Sequence, residues 1–360
     1  MIVVPLIFTS LVIGVSNLGK GANLGKIGGK TLLYYMTTSL IALVSGLLLV
    51  NLIKPGVGVS LNLPDNTGEL LKETSVRDTL LGIVPENIFN ALSSNNATLS
   101  VIFFAVLFGF FMTRVGDKQK ETLTNFFDSA FEVIMKITLA IISLAPLGVF
   151  GLVTKTVAEQ ENLGQLFQSL GKFMITAVAG LSIHFFIALP ILLLIFGKIN
   201  PLKHAKSVIT PLLTAFSTAS SNATLPLTME ALENKSGVSN KITSFTIPLG
   251  ATINMDGTAL YELIVVGFVA QLYGVELSFA QQFLVVGTAL LASIGTAGVP
   301  MASYVAMTII FTAVNLPLEA MLIVLPVDRV LDMYRTATNV WSDTCGAVII
   351  AKSEGEKLNV

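Results

Sequence analysis

Residues 277–318 run for 42 positions without an Asp, Glu, Lys or Arg. As one helix they would extend about 63 Å at about 1.5 Å per residue, roughly twice the hydrocarbon thickness of a bilayer. The segment therefore has to fold back on itself. Its centre reads SIGTAGVP, 293–300, where two glycines and a proline break a helix and no charge marks the turn as water-facing. A second stretch, 207–229, carries a small-residue break, SSNATLP, between arms too short to span separately. Two re-entrant hairpins are the economical reading. Irregular backbone at membrane depth is tolerated only where protein buries it or it lines an aqueous cavity, so both breaks point to a site.

The remaining pattern fits this. Charge-free stretches recur at 1–19, 31–53, 87–113, 137–154 and 173–197, and hydrophobic residues make up 53% of the chain against 12% charged. With a mean hydropathy of +0.80 this is a polytopic, all-α integral membrane protein. The net charge of -1 gives no reason to expect a nucleic-acid partner. The single Cys345 excludes an intramolecular disulfide, and His184 and His204 stand isolated in the sequence, which argues against a metal site built on Cys or His. Lys20, Lys26, Lys30, Arg114, Lys118, Lys120, Lys198, Lys203 and Lys206 occupy loops that alternate with loops carrying Asp65, Glu69, Glu73, Glu159 and Glu161. The basic loops are expected on the cytoplasmic side.

Each break precedes a span with buried polar groups. After SSNATLP comes NMDGTALYEL, 254–263, and after SIGTAGVP comes DRVLDMYRTATNVWSD, 328–343. That is the outline of an internal repeat, and transporters built on inverted repeats set broken helices at the membrane midplane to coordinate ions and anionic substrates. At about 100° per residue, Asp328, Asp332, Arg335, Asn339 and Asp343 share an arc of roughly 80° on one helix face. An Arg or Asp at mid-membrane costs about 2.5–3.5 kcal/mol, so such a stripe needs partners or a ligand. Arg335 offers a fork for a carboxylate, Asp332 an acceptor for an ammonium, Asn339 an amide for a second carboxylate, and Thr336 a hydroxyl. An acidic amino acid satisfies the set. Asp343 then suits a hard cation such as Na+. Asn254 and Asp256 would point about 200° apart in a regular helix, so both serve one ion only if the backbone unwinds there, which Gly257 permits. Glu262 lies about 120° from Asp256 around the axis. A Glu buried in apolar protein can keep its proton, which makes Glu262 a candidate proton carrier, unless it snorkels to an interface.

SSNATLP, NMDGTALYE, SIGTAGVP and DRVLDMYRTATNVWSD, with PLGATIN and AKSEGE, resemble the glutamate transporter family, the dicarboxylate/amino acid:cation symporters that include excitatory amino acid transporters and archaeal aspartate transporters. The resemblance covers nearly the whole chain. It implies an inverted-repeat fold with an interrupted seventh helix, a homotrimer embedded in lipid, and a multi-pass location in the cell inner (plasma) membrane. The expected activity is sodium-coupled symport of L-glutamate or L-aspartate by an elevator motion, with no tightly bound cofactor and Na+ as coupling ion. Residues 1–53 correspond to a scaffold helix and a transport-domain helix, 54–165 mainly to scaffold and trimer contacts, 166–197 to a further transport-domain helix, 198–352 to the core transport domain, and 353–360 to a cytoplasmic tail. The opening MIVVPLIFTS resembles the family's second helix, so the first is expected to be missing.

By the same resemblance the ligand touches Ser221, Thr258, Val299, Asp332, Arg335, Thr336 and Asn339. One sodium site uses carbonyls of Gly250, Asn254 and Asn339 with the Asp343 carboxylate. Another uses carbonyls of Thr252, Ser293, Ile294 and Thr296, and a third combines Tyr35, Thr38 and Ser39 with Asn254 and Asp256. Arg335 resembles the acidic amino acid carriers, Asp343 the sodium-coupled branch, and Glu262 the animal glutamate carriers, where that Glu serves proton and potassium coupling. Three departures stand out: the missing helix, Ala219 and Met333 where branches keep an additional Arg, and VPMAS in the second hairpin in place of VPGAG. Two rival readings are a proton-driven C4-dicarboxylate symporter, in which Asp332 would lack its ammonium, and an intramembrane aspartyl protease, for which no GxGD signature is present.

Overall fold

The computed structural model describes residues 3–18, 25–58, 84–93, 98–144, 147–148, 150–151, 154, 158, 163–294 and 303–360. The described residues contain helices and no β-strand. In order they are α1 (Val3–Leu18), α2 (Gly25–Ile53), α3 (Ile88–Ser93), α4 (Thr98–Met112), α5 (Asp117–Ser143) and α6 (Leu163–Gly197). Then come α7 (Pro201–Ser207), α8 (Ile209–Thr218), α9 (Ser221–Ala231), α10 (Asn240–Ile253), α11 (Asp256–Leu272), α12 (Phe279–Ile294), α13 (Ser303–Ala313) and α14 (Leu325–Ser353), with a 3-10 turn at Leu318–Val324.

The side chains of α2 and α6 invert the rule of soluble proteins. On α2 the residues turned outward are Leu33, Leu40, Val44, Leu48 and Leu52, while Tyr35, Thr38 and Ser39 are buried. Outward apolar side chains suit a helix whose solvent is lipid, and its polar groups turn inward to find partners. Segments Lys26–Ile53, Leu163–Gly197 and Asn240–Leu272 are long and apolar enough to cross a membrane. α5 begins at Asp117, so the charged residues expected in a loop before a span at 137–154 are helical. The helix starts early because DKQKETLT contains neither Gly nor Pro to stop it, and Asp117 suits a first helical turn.

Both long charge-free segments fold back. α8 and α9 pack against each other, as do α12 and α13. In the first hairpin the break falls at Ala219 and Ser220, the second of which is the first residue of SSNATLP. Ala219 adopts φ +51°, and the extended Ser220 accepts the Ala223 backbone N–H at 3.2 Å as N-cap. The rest of the motif, SNATLP, forms the start of α9, and Pro226 is accommodated inside the helix. A serine cap outcompetes the small-residue composition that marks SNAT as a turn. In the second hairpin α12 runs through Ile294, and 295–302 lie outside the described residues.

α11 is the axis of the molecule. It packs against α2, α6, α12, α13 and α14, and nearly all of its residues are buried. α1, α4 and α5 form a neighbouring group around Phe8, Phe104, Phe108 and Phe127, whose rings pair at 5.5–6.3 Å. The tail after α14 is docked. Lys30 at the start of α2 donates to Glu354 and to the Ser353 hydroxyl, and the Glu356 carboxylate accepts the Ser239 N–H at 3.0 Å, capping α10. The hydrogen bond from Lys30 holds the Glu354 carboxyl below its usual range.

Candidate functional site

The interruption between α10 and α11 creates the site. Asn254 (φ −97°, ψ 71°) and Met255 (φ −105°, ψ 57°) leave the helical region, so Asn254 and Asp256 no longer point apart and reach one neighbourhood. Gly257 is not the unwound residue. It lies inside the first turn of α11, where a Cβ would come 2.6 Å from the Arg335 carbonyl oxygen, so its role is close packing on α14. The start of α11 has no cap from its own preceding residue. Asn339 of α14 supplies one: its Oδ1 accepts the Gly257 N–H at 2.7 Å and its Nδ2 donates to the Thr258 hydroxyl at 3.0 Å.

Around Asp256 four helices converge. Oδ1 accepts from Ser39 at 2.6 Å and Thr38 at 3.4 Å, both on α2. Oδ2 accepts from Ser342 of α14 at 2.7 Å and lies 3.0 Å from His184 Nε2 of α6. Thr38 also donates to Asn254 Oδ1 at 3.2 Å, and Asn254 Nδ2 donates to Asp343 Oδ1 at 2.8 Å. Tyr35 donates to the Thr246 carbonyl at 2.7 Å. Gly250 is pressed between these groups: a Cβ would sit 2.8 Å from the Tyr35 oxygen and against the Asp343 carboxylate. Asp343 has one hydrogen-bond donor, the Asn254 amide, and no basic side chain pairs with it among the described residues. Asn254 and Ser342 lie between Asp256 and Asp343, so these carboxyls do not form the proton-sharing dyad of an aspartyl protease.

A second cluster lies on the same face of α14. Arg335 donates from Nε and Nη2 to Asp332 Oδ1 at 3.0 and 2.8 Å, and from Nη1 to Asp328 Oδ1 at 3.0 Å. Its guanidinium carbon stands 4.2 Å from the centroid of the Tyr261 ring. The fork expected to face a ligand is thus engaged by two carboxylates of its own helix, all three residues at most 4% exposed. Glu262 is fully buried, which overturns the snorkelling reading, and neither carboxyl oxygen has a hydrogen-bond partner among the described residues.

The structure therefore brings together Thr38, Ser39, Asn254, Asp256 and Asp343 in one hydrogen-bond network, with Tyr35 beside it across Gly250, and Thr258 with Asn339 in a second. Thr336 is buried on α14, and Ser221 is buried in the first turn of α9. Thr252 donates to the Leu249 carbonyl in the last turn of α10, and the Gly250 carbonyl accepts the Asn254 N–H at 2.9 Å. Ser293 and Ile294 close α12, whereas Thr296 and Val299 lie outside the described residues. His184, which looks isolated in sequence, is a partner of Asp256, and Ser342 was equally unforeseen. The signal for His184 was its place as the one titratable side chain in a charge-free span.

The chain matches the sodium:dicarboxylate symporter family over residues 1–353. It is 38% identical over 367 residues to the proton/sodium-glutamate symport protein of Geobacillus stearothermophilus, covering 99% of this chain and 85% of that one. It is 36% identical over 409 residues to excitatory amino acid transporter 3 of Mus musculus, covering 99% and 77%, and 35% identical over 395 residues to an excitatory amino acid transporter of Caenorhabditis elegans, covering 97% and 78%. With helical hairpins, an interrupted polar helix and a charged stripe on the last long helix, the chain belongs to the sodium:dicarboxylate symporter family.

Proposed function

We propose that the protein is a sodium-coupled symporter of L-glutamate and L-aspartate. The observation that carries this reading is the charge arrangement of α14: the buried Arg335 guanidinium between two carboxylates, with the exposed Arg329 3.8 Å from Asp332, and farther along the helix a buried Asp343 with no basic partner among the described residues. Buried carboxylates without cations are costly, so this helix favours cations arriving together with an anionic substrate. On binding, a substrate carboxylate takes over part of the Arg335 fork, and the substrate ammonium takes the place on Asp332 that the guanidinium gives up. A C4-dicarboxylate has no ammonium to make this exchange.

Thr258, Thr336, Asn339 and Ser221, with Val299, complete the substrate contacts in this reading. Asp343 with carbonyls of Gly250, Asn254 and Asn339 holds one sodium ion. Tyr35, Thr38, Ser39, Asn254 and Asp256 hold another, and carbonyls of Thr252, Ser293, Ile294 and Thr296 a third. Glu262, buried without a hydrogen-bond donor among the described residues, carries a proton with the substrate. The working unit is a homotrimer in the inner (plasma) membrane, in which residues 198–352, with the helices at 25–53 and 166–197, move as an elevator against a scaffold drawn mainly from 54–165.

Uptake of labelled L-glutamate, L-aspartate and succinate into proteoliposomes tests this. Amino acid uptake driven by an inward sodium gradient and lost in Arg335→Ala and Asp343→Asn is expected. Succinate uptake driven by protons alone would replace the amino acid reading with a dicarboxylate one.

A further inference from the structure

Asp256 presents its two oxygens to different kinds of neighbour. Oδ1 meets the Ser39 and Thr38 hydroxyls, rotors that can turn either a proton or a lone pair toward it. Oδ2 meets Ser342 at 2.7 Å and His184 Nε2 at 3.0 Å. The Ser342 hydroxyl itself accepts from Asn254 Nδ2 at 3.0 Å, so its proton is committed to Asp256. A carboxylate oxygen opposite Nε2 places a ring proton on that nitrogen. His184 Nδ1 has no partner among the described residues, leaving Asp256 as the ring's hydrogen-bond contact. Both side chains are fully buried. His184 opens a π-helical turn, His184–Ala188, within α6, a widened turn of the kind that commonly marks functional sites.

We infer that His184 is a positioning residue for cation binding: through Nε2 it fixes Oδ2 of Asp256, so that Oδ1 is turned to the α2 hydroxyls as the oxygen that receives a small monovalent cation. This rests on the reading of Asp256 as a sodium ligand. Partners that orient a ligating group set affinity without touching the ion. His184 is separated from the ion by the carboxylate it holds, and its side chain comes from α6, a helix that contributes no other group to the Asp256 network among the described residues.

The chain carries a reporter for this. Its sole tryptophan, Trp341, precedes Ser342, stacks on Phe185 at 5.5 Å and donates to the Phe185 carbonyl at 3.0 Å, next to His184. Sodium titration of Trp341 fluorescence in the purified full chain, without substrate, reads cation binding apart from transport. Gln places an amide N–H where Nε2 stands, whereas Asn falls short and Leu has no donor. The expected result is a half-saturating sodium concentration raised about ten-fold or more in His184→Leu and His184→Asn, and held within about three-fold of wild type in His184→Gln.

Equal midpoints in all four proteins would overturn the inference, and so would equal weakening in all three variants, which would make His184 a packing residue. Melting temperatures in choline chloride check that the variants are folded. If His184→Leu does not fold, the Asn and Gln pair carries the same comparison. Asp256→Asn separates the two levels: an unchanged midpoint there removes Asp256 as a sodium ligand and the inference with it, whereas a lost response there with a normal one in His184→Leu refutes His184 alone.

Discussion

Arg335 is held at three points by its own helix, and that fixes what its removal should do. Arg335→Ala removes the buried guanidinium that Asp328 and Asp332 share, while Arg329 still lies 3.8 Å from Asp332, and breaking a buried pair costs about 3–5 kcal/mol. A clear loss of melting temperature in detergent is expected together with loss of substrate binding. An unchanged melting temperature would mean that the carboxylates are satisfied by other groups. Gly257→Ala should also destabilise, by about 1–3 kcal/mol, because its Cβ meets the Arg335 carbonyl on a neighbouring helix and neither backbone can move alone. Glu262→Gln should keep sodium-driven uptake and abolish its dependence on pH. A pH dependence that survives the substitution would remove Glu262 as the proton carrier. At this scale the sequence was informative about residue types and weak about partners. The α14 stripe was readable because its residues share one helical frame. The His184–Asp256 contact joins residues 72 positions apart on separate helices, and helix periodicity says nothing about that pairing.

At the scale of elements, the capping of α11 by Asn339 makes a prediction distinct from substrate binding. Asn339→Ala should cost about 0.5–2 kcal/mol and raise hydrogen exchange in the first turn of α11 even without ligand. Unchanged exchange there would leave Asn339 with no role in holding the helix start. The tail contact of Lys30 with Glu354 has its own pH signature. The Glu354 carboxyl is held below its usual range when folded, so the contact stabilises above the unfolded carboxyl's value and is lost as pH falls through the lower folded value. A Lys30→Met variant should therefore lose stability at neutral pH and converge with wild type in acid. Both hairpins and the break at Asn254 could be anticipated, since charge-free length forces the first and the angular mismatch of Asn254 with Asp256 forces the second. Where the backbone breaks was less legible. The first hairpin turns at Ala219, a residue with no turn preference, because the Ser220 cap defines the start of α9.

For the whole molecule, the outward apolar faces of α2 and α6 and the inward polar network describe a protein turned inside out for lipid, as the composition required. The hydrogen-bond networks join α2, α6, α11 and α14, so the proposed cation and substrate sites share helices. Sodium that binds only the folded state should then raise thermal stability by about 2.7 kcal/mol at a hundred-fold excess over its dissociation constant. In this reading the buried carboxyl groups of α11 and α14 make cation and amino acid binding one event. Equilibrium binding of labelled L-glutamate to the purified protein, with and without saturating sodium, tests it most directly. The expected result is affinity at least about ten-fold higher in sodium, with L-glutamate raising sodium affinity by the same factor, and no displacement by succinate. Glutamate binding that is indifferent to sodium, or displaced equally by succinate, would contradict it.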